Sequence, residues 1–168
     1  MATIPPVEIL ESVLPVAFTQ WAIRPDSAGP GRHRGGLGAI YEIELLEDRG
    51  TGFVFAERGK FPPRGIVGGG DAATNFVSYE QDDGLRIPEM MSKAVDIRLK
   101  KGQRIHIESP GGGGYGPAIE RDPDLVATDV RLGFVSAENA MAQYGVVLNA
   151  DGAVDVDATS ATRLSMGR

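Results

Sequence analysis

Polar and apolar positions alternate through the first two-thirds of the chain. Between Gly38 and Glu47, Tyr41, Ile43 and Leu45 interleave with Ile40, Glu42 and Glu44, which predicts a strand with one buried face. The stretch VLPVAFTQWAIR, residues 13–24, is branched and aromatic and predicts a strand with Pro15 near its start. Gly52 to Glu57 predicts another strand after a turn at Asp48-Arg49-Gly50, and Asn75 to Glu80 a short one before the turn signal Asp82-Asp83-Gly84. Met90 to Lys100 alternates at Val95, Ile97 and Leu99. Gln103 to Glu108 sets Ile105 and Ile107 on one side and Arg104, His106 and Glu108 on the other. The turn at Lys101-Gly102 predicts that these last two strands form a hairpin.

The period then changes. Asp122-Pro123 reads as an N-cap followed by proline at the first helical position. Leu125, Val126, Val130 and Leu132 recur at helical spacing, and Gly133 stops the helix. Ser136 caps a second helix, Ala137 to Tyr144, which Gly145 ends, and Val146 to Leu148 follows as a short strand. From Asn149 onward the residues are small and polar, and the last ten are expected to fray. The fold class is therefore α+β: mostly antiparallel β-sheet with long Gly/Pro loops and a C-terminal helical hairpin. One domain is expected over residues 1–148, with a small polar tail over 149–168.

Composition narrows the function classes. Glycine supplies 23 of the 168 residues, about twice the usual share, and proline 11. These gather in three segments: 25–38 (PDSAGPGRHRGGLG), 58–72 (RGKFPPRGIVGGGDA) and 109–116 (SPGGGGYG). A net charge of −6 disfavours nucleic acid and anionic membranes as partners. The absence of cysteine removes disulfides, thiolate metal sites and cysteine nucleophiles, and suits a reducing cytoplasm. No apolar run approaches the ~20 residues of a membrane span, and Met1 to Pro6 does not resemble a signal peptide. A cytoplasmic location is expected.

The candidate chemistry is sparse. Gly111, Gly113 and Gly116 match the spacing G-x-G-x-x-G of a dinucleotide loop. No lysine follows, however, and Pro117 with a delayed helix spoils a phosphate cradle. The pattern favours a backbone that passes close to another chain or element, with Tyr115 packing over Gly111, Gly112, Gly113 and Gly114. Arg24, Arg32, His33 and Arg34 offer an anion-binding loop, or else bind the loop's own carbonyls or a neighbouring polypeptide. His33 and His106 are the only histidines, and no ligand spacing supports a metal centre on this chain. No G-x-S-x-G or H-E-x-x-H occurs, and no catalytic residue is assigned.

Four segments in order carry a resemblance: PPVEILESVLPV (5–16), RPDSAGPGRHRGGLG (24–38), FPPRGIVGGG (61–70) and SPGGGGYGPAIERDPDLVATDVRLGFVSAENAMAQYGVVL (109–148). Together they resemble the C-terminal part of the hydantoinase B family. That family takes in B-type chains of ATP-dependent hydantoinases, 5-oxoprolinase, and large subunits of acetone and acetophenone carboxylases. In the family this segment is the tail of a much longer chain. The resemblance therefore implies a separate small subunit, of the acetophenone carboxylase type, that completes a large B-type chain and its intermediate channel. It implies a ligase complex in which ATP and a divalent metal are held by hydantoinase A-type and large B-type partners, with no cofactor on this chain. Arg24, Arg32, His33 and Arg34 would then meet an anionic intermediate, and Gly111 to Tyr115 would form an interface loop. The alternatives are a purely structural subunit, or a component of an ATP-dependent hydantoinase or 5-oxoprolinase that opens a lactam ring. The isolated chain is expected to expose apolar surface and to dissolve poorly.

Overall fold

The computed structural model describes residues 5–167. Its elements run α1 (Val7–Val13), β1 (Val16–Arg24), β2 (Gly38–Leu45), β3 (Arg49–Phe55), β4 (Phe76–Gln81), β5 (Gly84–Arg86), β6 (Lys93–Lys100) and β7 (Arg104–Glu108), then α2 (Pro123–Arg131), α3 (Ala137–Tyr144) and α4 (Val156–Met166). This is the α+β class expected from the pattern. The chain divides into two compact units: Met1–Ala22, Ala39–Lys60 and Asn75–Ser109 make the first, and Ile23–Gly38, Phe61–Thr74 and Pro110–Arg168 the second.

The first unit holds two sheets, one of order β1-β2-β7-β4-β5 and one of β3-β6. In the larger sheet β7 lies antiparallel between β2 and β4. Ile43 and Tyr79 both pair with Ile105, and Tyr41 and Val77 both pair with Ile107. The two-residue period thus lines apolar side chains across three strands on one face. Leu45 and Val77 from this sheet, with Val54, Ile97 and Leu99 from β3 and β6, form the buried core. The opposite face carries Glu42, Glu44, Arg104 and His106, cross-linked by the Arg104–Glu44 ion pair at 2.9 Å and the His106–Glu108 contact at 3.2 Å.

The hairpin expected at Lys101-Gly102 does not form. The turn exists, because Gln103 N–H donates to the Lys100 carbonyl at 3.0 Å. Gly102 sits at φ 83° in its third position, the geometry of a type II turn. Such a turn does not match the twist of two paired strands and splays them. β6 therefore stays with β3, while Leu45 and Gln103, bonded through Leu45 N–H at 3.0 Å, carry the chain onto the neighbouring sheet. β3 begins at Arg49, earlier than expected, and α1 precedes β1 over residues for which no element was expected, apart from Val13 at the start of the expected strand. Its apolar residues Val7, Ile9, Leu10 and Val13 share one side of the helix, and none of them is buried.

In the second unit the helical punctuation holds. The Asp122 carboxylate accepts the Asp124 N–H at 3.0 Å with Pro123 at the first position, and Ser136 Oγ accepts the Asn139 N–H at 3.1 Å. Gly133 at φ 72° and Gly145 at φ 63° end α2 and α3 in left-handed backbone. Val126, Val135, Ala140, Tyr144 and Val146 form this unit's core.

The C-terminal stretch departs from the expected fraying, because it contains α4. Asp155 caps it through the Ala158 N–H at 2.9 Å. Its docking face is polar: buried Thr159 Oγ1 accepts the Val147 N–H at 3.0 Å, and the Arg163 guanidinium donates to the carbonyls of Tyr144 (3.0 Å) and Arg121 (2.7 Å). A helix held by hydroxyl and guanidinium contacts has no apolar stripe to betray it in the sequence. Among the described residues no helix is long and apolar enough to cross a membrane.

Candidate functional site

The three glycine-rich segments meet in the second unit as a layer of main chain on main chain. Gly29 N–H donates to the Gly112 carbonyl (2.8 Å), Gly112 N–H to Gly36 (2.8 Å), Gly114 N–H to Gly70 (3.0 Å) and Gly70 N–H to Pro30 (2.7 Å). Ile66 N–H reaches the Gly114 carbonyl at 2.9 Å, and His33 and Tyr115 exchange both of their backbone bonds, at 3.0 and 2.9 Å. A Cβ on Gly35, Gly111, Gly113 or Gly114 would lie under 3.0 Å from another segment's main chain. These glycines are therefore required by close approach, not by special dihedrals. The element they approach is this chain's own loops.

The same bonds decide against a phosphate cradle. An anion nest needs unengaged N–H groups converging on one point. Here the N–H groups of Gly112, Gly114 and Gly116 are spent on the carbonyls of Gly36, Gly70 and Ile66. Among the described residues no group of three His, Cys, Asp or Glu side chains is placed to hold a metal ion.

The four candidate anion-contact residues are not brought together. Arg24 Nη1 donates to the Thr74 carbonyl at 2.7 Å, which ties the end of β1 to the loop before β4. His33 sits at the edge of the layer, with its ring 6.0 Å from that of Tyr115. Arg34 is committed elsewhere: its Nε and Nη2 embrace the Asp129 carboxylate at 3.0 and 3.3 Å, and its guanidinium lies 5.7 Å from the Phe134 ring centroid. Arg32 alone of the three arginines keeps a half-exposed side chain, with Glu120 at 3.6 Å.

Sequence reading missed the polar centre of this unit. The Asp129 side chain is only 8% exposed and carries two cations, Arg34 and Arg121, the latter at 2.9 Å. A signal did exist: Val126, Asp129 and Val130 share one helical face, so Asp129 falls on the inward stripe of α2. Next to this centre is a cavity of about 160 Å³ lined by Asp26, Asp71, Phe134, Asn139, Gln143 and Tyr144 among others. Asp26 adopts φ 55° and accepts the Ser136 N–H at 2.9 Å, locking the loop to the start of α3. Burial pushes the Tyr144 phenol above its ordinary value. Burial likewise pulls the Arg163 guanidinium down.

Comparison with known proteins places this geometry. The family model described as Hydantoinase B/oxoprolinase matches residues 1–118. The B chain of a putative D-/L-hydantoinase from Pseudomonas sp. (strain NS671) is 32% identical over 158 residues, covering 94% of this chain and 26% of that one. The beta chain of the caprolactamase from Pseudomonas jessenii is 35% identical over 164 residues, with shares of 94% and 27%. The crystal structure of the ATP-dependent caprolactamase from that organism superposes with a TM-score of 0.79 at 30% identity, covering 94% of this chain and 28% of that one. A nucleotide-free acetone carboxylase structure superposes with a TM-score of 0.77 at 24% identity, with shares of 99% and 26%, a likeness of fold. The chain spans about a quarter of the length of these relatives.

Proposed function

The chain belongs to the hydantoinase B/oxoprolinase family, and we propose that it serves as a B-type component of an ATP-dependent enzyme that opens a cyclic amide. The observation that carries this is the pair of relatives matched over 94% of the chain, whose names denote action on hydantoins and caprolactam. The acetophenone-carboxylase reading has behind it the acetone carboxylase superposition at 24% identity, which speaks to fold. Lactam opening is therefore preferred.

Within such an enzyme the residues of this chain supply form more than chemistry. The glycine layer and the Asp129 centre make a body closed by main-chain and ion-pair contacts between its own segments. A body of this kind can wall off an activated intermediate from water without competing for it. Contact with an anionic group falls to Arg32, whose side chain is half-exposed with Glu120 at 3.6 Å, whereas the Arg34 side chain is mostly buried against Asp129. Nucleotide and metal are assigned to companion polypeptides.

The test is to purify the complex through this chain and measure ADP formation. Hydantoin, 5-oxoproline or caprolactam is expected to stimulate it. Stimulation only by a ketone with bicarbonate would replace this reading with the carboxylase one.

A further inference from the structure

The outer face of the β3–β6 sheet is composed like an inner one. A strand with one face in a core and the other in water alternates apolar with polar residues. Val54, Ile97 and Leu99 occupy the core, so the opposite face should be polar. It carries Phe53, Phe55 and Val95, which are 77, 76 and 81% exposed. Phe53-Val54-Phe55 is thus apolar on both faces, the composition of a strand covered on both sides.

The register gathers these side chains. Gly52 pairs with Ile97 and Val54 with Ala94, so Phe53 faces the two-residue step Val95-Asp96. This is a bulge with Asp96 at φ 55°, a device that re-aims side chains. Phe55 pairs with Lys93, whose Nζ lies 4.9 Å from the ring centroid and 2.8 Å from Glu57. Arg98 is paired with Asp96 at 2.9 Å. The charged rim is neutralised within the chain while the apolar centre is bare, which is the anatomy of a contact surface.

We propose that this face seats the polypeptide equivalent to the part of the caprolactamase beta chain that this protein does not match. The inference rests on the B-type reading above and deepens it by naming the surface. The occupant is argued from length and area. The match covers 27% of that beta chain, so nearly three quarters of the relative lies outside it. Three side chains of this size bury on the order of 500 Å², short of the ~800 Å² per partner of a stable interface. The patch is thus one part of a larger contact with a wrapping partner and is too small for a dimer of this chain through the patch alone.

The test is photo-cross-linking in the complex purified through this chain, with p-benzoylphenylalanine replacing Phe53. The expected adduct is on a hydantoinase B-type sequence outside the segment homologous to this chain. An adduct on a second copy of this chain, on an unrelated protein, or no adduct from an intact complex overturns the proposal. Absence of any B-type polypeptide from the complex defeats the B-type reading itself, whereas its presence without a cross-link from position 53 defeats only this inference. In parallel, the variant Phe53→Ser, Phe55→Ser, Val95→Thr should lose at least tenfold of the co-purifying B-type polypeptide while its circular dichroism is unchanged. Full retention of that polypeptide also overturns the proposal.

Discussion

Gly113→Ala adds a single methyl group where the tetraglycine crosses the loop at Arg64 and Gly65. The new Cβ would lie 2.8 Å from the Gly65 nitrogen and under 3.0 Å from the Arg64 carbonyl. Both neighbours are main chain, so neither can rotate aside. Gly113 does not have a positive φ, so alanine carries no dihedral penalty there and the effect is steric. Two responses are open. If the crossing segments yield by small backbone shifts with their bonds kept, overpacking costs ~1–3 kcal/mol. If the 61–74 loop slides away, it gives up the bonds Ile66 N–H to Gly114 (2.9 Å), Gly114 N–H to Gly70 (3.0 Å) and Gly116 N–H to Ile66 (3.1 Å). Three such bonds are worth about 3 kcal/mol net. The expected loss is therefore about 2–3 kcal/mol. With a urea m-value of about 2 kcal/mol per molar, the unfolding midpoint falls by roughly 1–1.5 M. Gly36→Ala is the matched control, because nothing lies within 4 Å of a Cβ there. It should leave the midpoint unchanged or raise it slightly through the unfolded state. Equal midpoints for the two variants would refute the steric account of the glycine layer.

Asp129→Asn removes the charge that two buried guanidinium groups share, and should cost about 3–5 kcal/mol by urea unfolding. Arg32→Ala, on a half-exposed pair, should cost ~1 kcal/mol or less; similar losses for the two would mean Asp129 does not anchor the unit. Burial raises the Tyr41 and Tyr144 phenols above 10.0 in the folded chain. The unfolded chain ionises near that value first, so the stability these phenols supply is fully present below about pH 10 and is lost as pH rises through their folded values. Tyr144→Phe should therefore flatten the fall of melting temperature above pH 10, and an unaltered slope would count against it. Asp155→Ala removes the cap of α4 and should weaken that helix by about 1 kcal/mol, read as faster hydrogen exchange confined to residues 156–166.

What the sequence disclosed divides along the kind of contact involved. Strand faces and helix ends were legible, because apolar alternation and caps such as Asp122-Pro123 and Ser136 act locally. The pairing of β6 and β7 was not, since the type of turn at Gly102 decides it and both turn types share a composition. α4 stayed hidden because Thr159 and Arg163 dock it without apolar side chains. Of the candidate site, the close packing of the tetraglycine followed from its composition, but its neighbours did not. Arg34 and Arg32 look alike in the sequence; α2, nearly a hundred residues later, supplies Asp129 to one of them.

The glycine layer also orders events in time. Its segments lie near residues 29–36, 64–70 and 111–116, and each bonds to both of the others. During synthesis the first two emerge with the amides and carbonyls that bond to the third still unmet, and the layer closes only once Gly116 is free of the ribosome. Contacts of such separation in sequence form slowly, because loop closure precedes any reward. The second unit is thus set to complete its folding after the strands of the first are already available to pair, and truncation before Gly116 should leave it open.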